Sequence, residues 1–141
     1  MSDLAEQRMK VIRANYAAYN NGDIDGVLQN LHSEVELVGA NEDGNVRESE
    51  IWRGHEEARR FYEGIRNEMG LQWIEIAKLE TDGEAIVATV WLHGTNDNSN
   101  TEGAIPAIRR HTFEGLLIKR VETFRQGWEL PHFDTTKAER P

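Results

Sequence analysis

Apolar residues at Leu4, Val11, Ile12, Tyr16 and Tyr19 recur in three- and four-residue steps and share one face of a helix. Ser2 and Asp3 are good N-caps for it, and Glu6 stands three residues after Asp3 in capping-box register. Asn20-Asn21-Gly22-Asp23 breaks this helix near residue 20. Asp23 or Asp25 then starts a shorter helix with the stripe Ile24, Val27, Leu28 and Leu31, so the pair forms a helical hairpin. The alternation from Glu34 to Val38 predicts a short strand. The stretch from Gly39 to Glu50 is polar and has no apolar period, which makes it the expected place for a mobile cover. A brief extended piece, Ile51 to Gly54, leads into a third helix from about His55 to Met69. That helix buries Ala58, Phe61, Tyr62, Ile65 and Met69, with Gly70 at its C-cap.

From Leu71 the period changes to two. Four strands are predicted at about 71–80, 84–95, 102–113 and 116–125. Their links are Thr81-Asp82-Gly83, a polar loop through Asn96 to Asn100, and the tight Glu114-Gly115 turn; short links make neighbouring strands antiparallel. Helices gathered first and antiparallel strands last predict an α+β fold. The domain is read as residues 1–125, followed by a tail, 126–141, that ends in charged residues.

Composition narrows the function classes. A chain of 141 residues suits one domain. Its formal charge of −9 disfavours a nucleic-acid groove, whose affinity comes mainly from Lys and Arg on phosphates, and equally an anionic membrane surface. Having no Cys, the chain offers no thiolate nucleophile, thiolate metal site or disulfide framework. No apolar run approaches the ~20 residues of a membrane span, and MSDLAEQRMK has no apolar signal core. A soluble, cytoplasmic protein is the expectation.

Four pieces then carry a resemblance: Tyr19-Asn20-Asn21-Gly22-Asp23-Ile24-Asp25-Gly26-Val27, Leu31-His32-Ser33-Glu34-Val35, Arg53-Gly54-His55-Glu56, and Val121-Glu122-Thr123-Phe124. In order and spacing they resemble the SnoaL-like polyketide cyclases of the nuclear-transport-factor-2-like superfamily, which also holds ketosteroid isomerases and limonene epoxide hydrolases. The resemblance spans residues 8 to 125. It implies a cone-shaped α+β barrel, with three N-terminal helices packed on a strongly curved antiparallel sheet around a mostly apolar cavity. It also implies a homodimer formed through the sheet.

Strand parity sorts the chemistry. Leu116, Ile118, Arg120, Glu122 and Phe124 are expected to share one face of the last strand, and Ile105, Ala107, Arg109, His111 and Phe113 one face of the strand before it. The resemblance turns Glu122's face inward; the same choice is extended to 109/111 and to Thr89, Trp91 and His93. Glu122 matches the aspartate that the cyclases use as general acid/base. A carboxylate enclosed by apolar groups is a ready proton carrier. The structural alternative is a Glu122 salt-bridged to Arg120, Arg109 or Arg53. His111, on the same expected face, can pair with Glu122 as a proton shuttle or simply pack. Arg109 can hold an oxyanion, an enolate or a substrate carboxylate, or decorate a solvated strand end. His32 either borders the pocket, as the resemblance implies, or caps the second helix. Tyr16, Tyr19, Trp52, Trp91 and Phe124 are expected to line the pocket, as alternatives to plain core. No metal is expected: the only cross-strand set is His93, His111 and Glu122. No cofactor is expected either, since phosphate loops and dinucleotide fingerprints are absent.

Two relatives are disfavoured by matched positions. Ketosteroid isomerase chemistry needs a first-helix tyrosine, an aspartate base and a protonated aspartate, and Asn15, Gly39 and Arg109 stand there. Limonene epoxide hydrolase uses an Arg and two Asp, and Thr89, Trp91 and Glu122 stand there. Two readings of different class remain. One is a cofactor-independent cyclase or isomerase acting on a small apolar carbonyl compound. The other is a non-catalytic ligand-binding or dimeric assembly module.

Overall fold

The structure, a computed structural model, describes residues 3–39, 51–67, 70–96 and 101–125. The expected cover at 40–50, the loop tip at 97–100, Ser2, Met69 and the tail 126–141 lie outside the described residues. Three helices, α1 (Asp3–Asn20), α2 (Ile24–Gln29) and α3 (Gly54–Asn67), pack on a sheet of six strands. The strands are β1 (Leu31–Gly39), β2 (Ile51–Arg53), β3 (Leu71–Asp82), β4 (Ala85–Asn96), β5 (Thr101–Glu114) and β6 (Leu117–Arg125). This is an α+β fold. Among the described residues no helix is long and apolar enough to cross a membrane.

The α1–α2 corner forms because Gly22 takes a left-handed φ of 75° and Asp23 caps α2, its side chain accepting from the Gly26 amide at 2.9 Å. Asn15 pins the two helices together by donating to the Val27 carbonyl at 2.9 Å. Asn20 extends the grip to the sheet: its amide donates to the Ile74 carbonyl and accepts from the Ile74 N–H. Ile12, Tyr16 and Tyr19 of α1 and Ala58, Tyr62 and Ile65 of α3 then bury against Leu37, Ile86, Ala88, Val90 and Val121.

The strand order is β2-β1-β6-β5-β4-β3. The expected meander, β3 through β6, is antiparallel throughout. The sheet as a whole is mixed, because β1 joins the free edge of β6 in parallel and brings β2 with it. A parallel pair needs a long crossover, and the chain between β1 and β6 supplies one, running through α3 and four other strands.

One irregularity decides which side chains face the helices. Thr112 pairs with Arg120, but Phe113 pairs with Ile118, so Lys119 is an extra residue on β6. Such a bulge reverses the alternation beyond it. Ile118 and Val121, three apart, therefore both point into the core. A similar step on β3, at Ala77, lets Ile76 and Leu79 both serve the core side.

Candidate functional site

Register brings two rows of side chains across the helix-covered face. Leu37, Val121, His111 and Ile86 form one; Gly39, Thr123, Arg109 and Ala88 form the next. Helix α1 lies over them and lowers Tyr16 between them. The Tyr16 hydroxyl stands 2.9 Å from His111 Nε2, and both residues are buried, His111 completely at 0% exposure. His111 Nδ1 lies 3.3 Å from the Ile86 carbonyl. A carbonyl only accepts, so Nδ1 carries the hydrogen and Nε2 is left to accept from Tyr16. Burial, and after it the neighbouring Arg109 charge, push the His111 pKa down to about 3. The imidazole is therefore neutral at physiological pH, as this hydrogen-bond chain requires.

Arg109 is the unusual member. It is only 5% exposed, and its Nε is a buried donor with no hydrogen-bond partner among the described residues. Its guanidinium lies over the Tyr16 ring, 5.6 Å from the centroid. The groups that act on its charge are phenols, those of Tyr16, Tyr62 and Tyr19; among the described residues no carboxylate pairs with it. Burial raises the pKa of Tyr16, and Arg109 opposes that rise. The neighbouring wall is apolar, built from Leu37, Val121, Ala88 and Tyr62. At the far end of the row, a Cβ added to Gly39 would meet no described atom within 4 Å.

The other expected site residues are distributed differently. Glu122 does not share a face with His111: it pairs across the sheet with Arg110, while Val121 pairs with His111. Its carboxylate, 22% exposed, lies 3.8 Å from Arg110 and 3.9 Å from Arg120 on the outer side, the side away from the helices. The Lys119 bulge is the physical reason. The alternation on β4 is also opposite to expectation, since Ile86, Ala88 and Val90 face the core with Arg109 and His111. Trp91 and His93 thus occupy the outer face, where His93 stacks on Trp73 at 4.0 Å and contacts Glu75 at 2.9 Å. Phe124 flanks Ile108 on that same face. His93 and Glu122 are consequently separated from His111 by the sheet, and among the described residues no group of three His, Asp or Glu is placed to hold a metal.

His32 neither caps α2, whose C-cap is Asn30, nor joins Tyr16 and His111. Its Nδ1 accepts from the Glu34 amide at 3.0 Å, and its Nε2 contacts the Glu114 carboxylate at the β5–β6 turn. Tyr19 spends its hydroxyl on the Leu71 carbonyl at 2.6 Å and packs on Tyr62. Trp52 lies at the sheet edge with its ring 5.7 Å from Phe61 of α3, beside an open groove. Tyr16, Arg109 and His111 are thus the three expected residues that converge. Thr123 is the neighbour that parity hid, and the three-residue step from Ile118 to Val121 was its only sequence signal.

The profile of the SnoaL-like domain matches residues 12–121. The structure of TerC co-crystallised with polyporic acid is 20% identical and superposes over 89% of this chain and 95% of its own, with a TM-score of 0.70. SalBIII, an epoxide hydrolase/cyclase-like enzyme in pyran ring formation in the polyether salinomycin, is 17% identical over 85% of this chain and 91% of its own, with a TM-score of 0.70. A protein of ketosteroid isomerase-like fold from Catenulispora acidiphila, in complex with trimethylamine, is 14% identical over 93% and 97%, with a TM-score of 0.66. At these identities the likeness concerns fold alone. Comparison with curated proteins finds no match.

Proposed function

Because this chain belongs to the SnoaL-like domain family, we propose that it binds a small, largely apolar carbonyl compound between α1, α3 and the sheet, and acts on it by cofactor-independent acid/base chemistry of the cyclase or isomerase type. The observation that carries this reading is the buried Tyr16–His111 hydrogen bond beside Arg109. Polar groups are costly to bury, and these three converge where the core is otherwise apolar. In the proposed reaction a proton leaves the carbon next to the ligand carbonyl. Tyr16 oxygen accepts it as its own proton passes to His111 Nε2, and Arg109 faces the enolate oxygen. Glu122, the acid/base expected from the family pattern, is instead assigned to the outer ion pairs with Arg110 and Arg120.

A thermal-shift panel of polyketide-like, terpenoid and steroid carbonyl compounds tests this reading. At least one class is expected to raise Tm. Tyr16→Phe should weaken that ligand about ten-fold or more by removing a buried hydrogen-bonding group. Glu122→Gln should leave its affinity unchanged and cost less than about 1 kcal/mol, as partly exposed pairs do. Affinity lost in Glu122→Gln and kept in Tyr16→Phe would reverse the assignment. The non-catalytic alternative predicts binding with no consumption of the ligand over hours.

A homodimer through the outer sheet face is also proposed. Trp73, Trp91, Ile108 and Phe124 lie there beside a mixed row of Arg110, Glu122, Arg120 and Glu36. Such a row is self-complementary across a two-fold axis. Light scattering on the eluting peak should give twice the chain mass, and Trp91→Glu should halve it; a monomer at all concentrations would sink the idea.

A further inference from the structure

Resting on the cavity reading above, we propose that the ligand of this site is a monoanion, an apolar molecule bearing one carboxylate that seats on the Arg109 guanidinium. A buried charge is tolerated when it is paired and hydrogen-bonded. Arg109 meets these conditions only in part among the described residues: no carboxylate pairs with it and its Nε is an orphan donor, while the groups that face its charge are phenols, Tyr16 among them as a hydrogen-bond partner. The partner it lacks is a planar acceptor with two oxygens, the group that a guanidinium fork recognises in bidentate fashion.

Four further observations bear on the class. The inner row beside Arg109 holds Thr123, Ala88 and Gly39, so among the described residues no second cation stands in that row, and one guanidinium balances a single negative charge. A dianion such as phosphate would leave an unbalanced buried charge. The wall is Leu37, Val121 and Tyr62, which suits an apolar body behind the carboxylate. A Cβ on Gly39, two strands from Arg109 in the same row, would meet no described atom within 4 Å, and the body of the molecule is assigned to that end of the row. The Thr123 hydroxyl, directly opposite Arg109 on β6, can donate to a carboxylate oxygen.

Anion binding also connects to the proton relay. The Arg109 charge is one of the two causes that hold His111 neutral. A carboxylate on Arg109 cancels that contribution, so His111 becomes a better base only when the site is filled.

The test uses paired probes on the full chain by calorimetry: benzoate against benzamide and 2-naphthoate against 2-naphthamide. Wild type is expected to prefer the carboxylate about ten- to a hundred-fold, the range for charge-assisted hydrogen bonds. Arg109→Met, and Arg109→Gln as a second variant, should lose that preference, so that acid and amide bind alike. Thr123→Glu, which places a carboxylate beside Arg109, should do the same. Equal affinity for acid and amide in wild type would overturn the anion proposal and leave the cavity reading standing. A preference that survives in both Arg109 variants would overturn it too. Binding of neither class would overturn both readings together.

Discussion

Replacing Arg109 with methionine is expected to leave the ligand-free protein at least as stable as wild type, and to stabilise it by about 1–4 kcal/mol, the range seen when buried ionic groups are replaced by apolar residues of similar volume. The sign is what matters, because most substitutions in a core destabilise. Taking a guanidinium out of water costs several kcal/mol even after relaxation. Against this stands a contact over the Tyr16 ring, 5.6 Å from its centroid, worth about 2 kcal/mol when desolvated. The desolvation cost therefore wins. Methionine follows the same unbranched path and fills the same volume without a charge. Urea unfolding at pH 7 without ligand measures the difference. A loss of more than about 1 kcal/mol would mean that the chain itself supplies a counterion to Arg109. A gain would mark a residue whose stability cost is offset elsewhere, the usual signature of a functional group.

The local elements were legible because each is written in nearby residues. The break at Asn20 to Asp23 appears in the structure as the α1–α2 corner, and the four strands after Leu71 stand within a few residues of their expected limits. The parallel pairing of β1 with β6 was not legible, because it joins segments about eighty residues apart and leaves no local signature. Leu31, counted in the helical stripe by its spacing, is the first residue of β1, since an apolar residue at a helix end fits either period. Tyr16, Arg109 and His111 were visible by residue type alone. The side of the sheet that each strand residue faces depends on continuous alternation, and one extra residue, Lys119, moves Glu122 outward while keeping Ile118 and Val121 inward. The apolar spacing of three from Ile118 to Val121 was the trace of that bulge. Leu117 beside Ile118 masked it by offering an apolar residue to either parity.

Acidification is expected to destabilise the protein through His111 by on the order of 1 kcal/mol per pH unit below about 6.5. The sign follows from proton uptake. His111 is held down to about 3 in the folded chain, by burial first and by Arg109 second, whereas the unfolded chain restores the ordinary value of about 6.5. Above 6.5 the imidazole is neutral in both states and stability is at its full value. Between 6.5 and about 3 the unfolded state alone takes up the proton, so stability falls as pH falls; below that window the loss stops growing. By pH 4.5 the accumulated loss is about 2 to 3 kcal/mol, a large share of the 5–15 kcal/mol that holds a typical domain. Carboxylates titrate in the same window, so the measurement is a difference. His111→Gln keeps an oxygen that can accept from Tyr16 but has no titration there. It should be less stable than wild type at pH 7 and lose less stability between pH 7 and 4.5, the two curves converging by about 2 to 3 kcal/mol. Parallel curves would mean that His111 keeps its proton in the folded state. Nε2 could then no longer accept from Tyr16, and the relay from Tyr16 to His111 would have no base at its end.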